Sequence, residues 1–182
     1  MASTATTIDA NLPAQAGNGS VPGGKFLTFF LAGEEYGIEI LKVHEIIGLL
    51  PITRVPQTPE YMRGIINLRG KVIPIVDLRS KFGLSVGEAT SMTCIIVVRV
   101  RGIAMGIVVD AVSEVVNINS HDIEATPSFG SDVNTDFILG IGKSEGRARI
   151  LLDIDRALLP CDTTAIQTET GGGDAACAQA GD

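Results

Sequence analysis

The sequence predicts a mainly β chain folded as two small five-stranded barrels side by side, each closed by a short helix, with disordered tails at both ends. Three observations carry that reading. The chain is 45% hydrophobic but only 4% aromatic and has no Trp, so its core has to be built from Val, Ile and Leu, a composition that favours strands. Its apolar runs are short and separated by links containing Gly, which is the pattern of tightly turned hairpins. Third, the chain repeats itself, and closure into a barrel is how a short all-β unit removes its exposed edges.

The repeat is read directly. Residues 26–33 and 36–47 align with residues 95–102 and 105–116 at an offset of 69, with Gly33/Gly102, Gly37/Gly106, Val43/Val112 and Glu45/Glu114 identical. A later stretch recurs at an offset of 76, matching Gly64/Gly140, Gly70/Gly146 and Asp77/Asp153. One supersecondary unit is used twice, with about seven extra residues in the second copy, placed within 117–136. The boundaries that follow are a lead at 1–24, a folded region at 25–161 and a tail at 162–182. Repeat 1 covers about 25–85 and repeat 2 about 93–159, and the end strands are free to be exchanged between barrels. Lead and tail are rich in Ala, Thr, Gly and other small or polar residues, which cannot bury enough apolar surface to order themselves.

Each copy contains a strand (26–31; 93–101), a Gly-containing turn, a second strand (36–41; 103–110) and a third apolar piece (43–47; 112–118). Two further strands flank the turn at Gly70 or Gly146, and an Asp then caps a short helix (78–82; 154–159, ended by Pro160). Gly37 and Gly106 interrupt strand patterns, where Gly marks a bulge or a barrel corner. Asn67-Leu68-Arg69-Gly70 forms the tip of the most distinctive hairpin. Residues 72–76 have no polar side chain on either alternating face, so both faces are expected to be covered, while Pro74 favours an edge strand. Arg69, a long cation at a tight turn, reads as a functional residue or as a solvated one.

The formal charge is −7. Five of the 21 acids (Asp9, Asp162, Glu169, Asp174, Asp182) lie outside residues 25–161, leaving sixteen against fourteen bases, or −2. Neither value suits a nucleic-acid or anionic-membrane partner, which needs a basic face. Cys94, Cys161 and Cys177 give an odd count with no CxxC spacing, which argues for a reducing compartment. Residues 1–24 lack the basic start and apolar core of an export signal, and no run reaches the length of a membrane span. The expectation is a cytoplasmic protein, monomeric when isolated and not inserted in the membrane.

Catalytic and cofactor motifs fail one by one. Gly142-Lys143-Ser144 imitates the end of a phosphate loop, but Phe137 stands where the first Gly belongs and a strand follows. Asp132 to Asp136 opens like a calcium loop, yet Phe137 replaces the turn Gly and Lys143 the bidentate Glu. No GxSxG or HExxH occurs, and neither His44 nor His121 has a ligand partner at metal spacing. His44, between Val43 and Glu45, is expected to point away from the face they share. Asp77 and Asp153 are a repeated carboxylate pair, but their place after a strand and before a helix says cap. No metal, cofactor or catalytic residue is therefore expected, and the chain reads as a binding module.

The run from Glu35 to Ile47, then Asn67-Leu-Arg-Gly70, residues 72–79, Gly106 to Asp110 and Val112 to Val115 together resemble the CheW-like coupling family of bacterial chemotaxis. The resemblance covers residues 25 to about 159, and its segments occur in the family's order. It implies two SH3-like barrels that bridge the cytoplasmic tips of chemoreceptors to the histidine kinase CheA, itself ending in a similar regulatory domain. Function would be affinity for two partners, placing the protein at receptor arrays. Carried over by position, the resemblance assigns receptor contact to Glu45, Arg69, Cys94, Gly106, Val112 and Val115, in a cleft between the barrels. Kinase attachment falls to Val43 and Gly64. Cys94 departs from the aliphatic residue common at its position. A coupler of another array, such as one controlling pilus-based twitching, fits the same residues; a hydrolase using Asp77 or Asp153 and a nucleic-acid-binding barrel are the remaining alternatives.

Overall fold

A computed structural model describes residues 21–85, 87–126 and 135–158. Residues 1–20, Pro160, Cys161, Cys177 and the predicted tail lie outside them, as does most of the calcium-loop mimic. Eleven strands are present among the described residues. In chain order they are β1 (Gly24–Leu31), β2 (Glu34–Glu39), β3 (Val43–Gly48), β4 (Met62–Leu68), β5 (Lys71–Asp77), β6 (Cys94–Val100), β7 (Ile103–Val109), β8 (Ala111–Ile118), β9 (Ile123–Glu124), β10 (Ile138–Ser144) and β11 (Arg147–Leu152). Two short helices, α1 (Leu78–Lys81) and α2 (Ile154–Ala157), follow β5 and β11. The lead was expected to run through residue 24, but Gly24 already pairs with Ile118 of β8.

Four hairpins are built on one turn. β1/β2, β4/β5, β6/β7 and β10/β11 are joined by Ala32-Gly33, Arg69-Gly70, Arg101-Gly102 and Glu145-Gly146, and all eight residues have positive φ. Positive φ at both central positions is the type I′ geometry that matches strand twist, and a Gly at the second position removes half its strain.

The strands form two antiparallel-rich sheets. The first runs β8-β1-β2-β11-β10-β9 and the second β3-β6-β7-β5-β4. The sequence repeat is therefore not the structural unit. The second sheet is one continuous stretch from β3 to β7, with two strands from the second copy; the first sheet is assembled from both ends of the chain. The first sheet has six strands rather than five because β9 pairs with β10. Its counterpart in the other half is only an isolated bridge, Thr53 to Ile65.

Three apolar clusters fill the fold. A large one draws on both sheets and both helices, including Phe29, Ile38, Val76, Leu78, Ile96, Met105, Leu152 and Ile154. Smaller ones sit inside each sheet: Ile66, Ile73, Ile75, Ile95 and Val97 in the second, Phe26, Val116, Ile118 and Leu151 in the first. Strands that alternate between a shared core and a private one bury both faces, which is why residues 73–76 are apolar throughout. Val72 is the exception, exposed at the outer end of β5. Contrary to the aliphatic core expected from composition, four rings run through the shared cluster as a row, Phe29, Tyr36, Phe82 and Phe137, with centroids 6.2, 6.2 and 4.7 Å apart.

Pro74 is not on an edge strand, since β5 lies between β7 and β4. It is tolerated because pairing with β7 begins only at Ile75, so the missing N–H falls where no ladder partner exists. Asp77 and Asp153 both cap: Asp77 accepts from the backbone N–H of Arg79 and Ser80, and Asp153 from those of Asp155 and Arg156. Asp77 also pairs with Arg63 at 3.1 Å.

The chain crosses between sheets twice, and each crossing is latched to a helix. At the first crossing Lys42 pairs with Asp155 of α2. At the second, Arg79 of α1 pairs with Asp110, whose carboxylate also accepts from the Ala32 N–H at 2.8 Å. Arg79 and Asp155 are counterparts in the repeat, so the two latches have opposite polarity.

Candidate functional site

The bulge in β3 decides where the predicted contact residues point. Val43 pairs with Val98 but Glu45 with Val97, so His44 is the extra residue. Val98 belongs to the shared cluster and Val97 to the private cluster of the second sheet. Val43 and Glu45 therefore do not share a face, contrary to simple alternation. Val43 packs on the shared core, His44 is exposed, and Glu45 stands at the mouth of the second sheet.

At that mouth Glu45 of edge strand β3 meets Arg69 at the end of the other edge strand. Arg69 Nη1 donates to Glu45 Oε1 at 3.2 Å, and Nη2 lies 3.1 Å from Oε2. The two-point geometry fixes a planar guanidinium on a planar carboxylate. The Arg69 side chain is 76% exposed and that of Glu45 only 21%, so the pair presents a cation outward. A cavity of about 140 Å³ opens beside it, lined by His44, Glu45, Leu68, Arg69, Lys71, Ile73, Arg99 and Ala104.

The other predicted receptor contacts lie elsewhere. Cys94 packs on the rim of the shared cluster with Val112, and its thiol meets the Val112 backbone. Burial pushes the thiol pKa up, and that backbone contact pulls it partly back. Val115 pairs with Leu27 and Val112 with Phe29, both in the shared cluster, so both valines face the seam between the sheets; Val115 is half exposed. Ile46, the counterpart of Val115 in the repeat, is also exposed there and pairs with Ile96. Sequence reasoning missed Ile46, although the 69-residue offset identifies it.

Gly106 is in neither place. It is buried, and a Cβ there would strike Ile75 and Ile95 of the private core. Its counterpart Gly37 would bring a Cβ within 2.9 Å of Leu151. Both glycines permit close packing. Gly64 is also buried, at φ +136°, and a Cβ would overlap the Thr53 carbonyl oxygen. It is the point at which the irregular segment after β3 crosses β4. Two residues before Val43, Leu41 is 92% exposed on the 3-10 turn Ile40–Lys42, with an apolar recess lined by Pro22, Phe26 and Ile40 beside it. Sequence reasoning had placed Leu41 at the end of a strand.

The first sheet carries the counterpart of the Glu45 mouth. Glu114 of β8 closes on Arg149 of β11 at 3.1 Å, and Arg149 Nη1 donates to the Ser144 carbonyl at 3.1 Å. Arg149 Nε lies 3.0 Å from Glu35 Oε1 but off the hydrogen-bonding line, so that contact is an ion pair without a directed bond. Arg149 has no exposed surface. Thr28, also buried, holds Glu114 in place by donating to its carbonyl at 3.0 Å and accepting from its N–H at 3.2 Å.

Among the described residues no group of three or more His, Cys, Asp or Glu is placed to hold a metal, and no helix is long and apolar enough to cross a membrane. Lys143, of the phosphate-loop mimic, lies in β10 and pairs with Glu124 at 2.6 Å.

Residues 25–159 match the family model described as CheW-like domain. The chain is 41% identical over 140 residues to a chemotaxis protein CheW of Klebsiella aerogenes, covering 77% of this chain and 84% of that one. It is 40% identical over 134 residues to a chemotaxis protein CheW of Rhizobium meliloti, covering 73% and 86%. A crystal structure of the scaffolding protein TtCheW from Thermoanaerobacter tengcongensis superposes with a TM-score of 0.69 at 38% identity, over 75% of this chain and 92% of that one.

Proposed function

The chain belongs to the CheW-like domain family of chemotaxis scaffold proteins, and from that premise we propose that it couples chemoreceptor cytoplasmic tips to the histidine kinase CheA without doing chemistry of its own. The observation that carries the reading is that one stretch, residues 41–46, serves two surfaces of different character. Leu41 offers an exposed apolar contact before the β3 bulge, and Glu45 a charged one after it. A protein that holds two partners at once needs such separate surfaces.

Receptor docking is assigned to the seam floored by Ile46, Cys94, Val112 and Val115 and to the adjoining mouth at Glu45 and Arg69. The apolar floor supplies burial and the ion pair fixes register, as in recognition of a helix by a groove. Kinase docking is assigned to Leu41 and the turn leading into Val43, through contact with CheA's similar regulatory domain. Gly64 acts there indirectly, by holding the segment of residues 49–61 against β4. The working location is cytoplasmic, at receptor arrays, through protein contacts alone.

Arg69→Glu tests this. An exposed pair contributes about 1 kcal/mol or less to stability, so the variant is expected to unfold at nearly the wild-type urea concentration, to retain the CheA regulatory domain in a pull-down, and to lose kinase activation in reconstituted receptor arrays. Full activation by the variant would refute the assignment.

A further inference from the structure

The two sheets share one register, so each position names a counterpart. Leu151 pairs with Gly37 as Ile75 pairs with Gly106, and Arg149 faces Gly142 as Ile73 faces Ile66. On that register Glu114 matches Glu45, Glu35 matches Ala104 and Arg149 matches Ile73. In the first sheet, then, the mouth is filled from within by two carboxylates around a buried guanidinium. In the second the same space holds Ala104 and Ile73, and it is open as the cavity of about 140 Å³.

The rim of that cavity is cationic. Arg69, Lys71 and Arg99 surround it against the single acid Glu45, and Lys71 and Arg99 have no ion-pair partner among the described residues. This is a local reversal of sign in a chain whose net charge is −7. We propose that this recess accepts a carboxylate-bearing side chain from the receptor segment, entering beside Ala104 where Glu35 stands in the other half. The inference rests on the receptor-docking reading given above and adds the chemistry that the mouth selects.

The occupant follows from size and charge. The cavity has room for a side chain and not for a strand or loop. A carboxylate entering over Ile73 and Ala104 meets cations in a setting drier than open water, where charge-assisted hydrogen bonds are strengthened. A purely apolar segment would cover Lys71 and Arg99 without partners, which costs free energy. Arg69, held flat by Glu45, still has N–H groups free to complete the set.

Calorimetric titration of the full chain with a receptor cytoplasmic fragment tests the proposal, using wild type, Lys71→Glu/Arg99→Glu and Ala104→Glu, with the CheA regulatory domain as a second titrant. The double reversal is expected to weaken receptor binding by about tenfold or more and to flatten its dependence on salt. Ala104→Glu supplies the acid internally and is expected to weaken it similarly. Both should hold the regulatory domain as wild type does, which also reports that they are folded. If the double reversal binds the receptor fragment with wild-type affinity and salt dependence, the carboxylate acceptor is wrong and receptor docking still stands. If wild type itself fails to bind the fragment, docking and acceptor fall together.

Discussion

Glu114 and Glu45 occupy matching positions in the two sheets, yet Glu114 closes on an Arg149 with no exposed surface, whereas Glu45 closes on an Arg69 that is 76% exposed. The difference lies in what surrounds them. In the first sheet Glu35 and Arg149 fill the mouth and Thr28 anchors the Glu114 backbone. In the second, Ala104 and Ile73 leave it open and the guanidinium comes from the hairpin tip. One framework is thus used once as a sealed structural end and once as an end with a cationic rim.

The largest expected effect breaks the sealed end. Arg149→Ala leaves the buried Glu35 facing a space without its cation, and removing one partner of a buried pair costs about 3 to 5 kcal/mol. Glu35, with its side chain only 8% exposed, carries that cost, and the half-exposed Glu114 adds little to it. Arg69→Ala should cost about 1 kcal/mol or less. Urea unfolding of the two variants checks the contrast, and equal midpoints would erase the distinction between the ends.

A smaller effect is expected where the irregular segments cross β4 and β10. Gly64→Ala combines strain at positive φ with overlap on the Thr53 carbonyl, together about 3 kcal/mol. At its counterpart Gly140 no positive φ is required, and a Cβ would lie 2.6 Å from the Glu124 carbonyl. Gly140→Ala should therefore cost less. A Gly64→Ala variant with wild-type thermal stability that still loses CheA binding would make Gly64 a direct contact.

The smallest effect separates the latches. Lys42 has its pKa raised, first by its hydrogen bond to Asp155 and against the opposing effect of burial. A raised folded pKa means the stabilisation is fully present below the ordinary lysine value of 10.5 and is lost as pH rises through the folded value. A guanidinium keeps its charge over that range, so the Arg79 to Asp110 latch persists. The gap in urea midpoint between wild type and Asp155→Asn should hold up to pH 10.5 and close as the pH rises above it, while the gap for Asp110→Asn should not.

Much of this arrangement is legible in the sequence. The Gly turns and Asp caps are local devices, so Asp77, Asp153 and the four hairpins stand where sequence chemistry puts them. Arg69 at its tight turn reads from sequence as a functional or a solvated residue, and it is the fold that brings it onto Glu45. What local chemistry does not encode is which strand goes to which sheet, since an offset between copies is indifferent to exchange. Nor does it reveal a bulge: His44 looks like any alternating residue, and only its partners in β6 show that Val43 and Glu45 face different cores. Nothing local marks Arg149, because burial of a charge depends on Glu35 and Glu114 arriving from distant strands. The register between repeats, 149 against 73, could have singled it out as the one Arg opposite an Ile.

The measurement that bears most directly on the account is whether the two surfaces work at the same time. The chain would be saturated with the CheA regulatory domain and then titrated calorimetrically with a receptor cytoplasmic fragment. Separate docking at Leu41 and at the Glu45 mouth predicts a ternary complex in which the receptor fragment binds with nearly the affinity it has for the chain alone. Displacement of the regulatory domain by the fragment would mean one shared surface and would contradict the account.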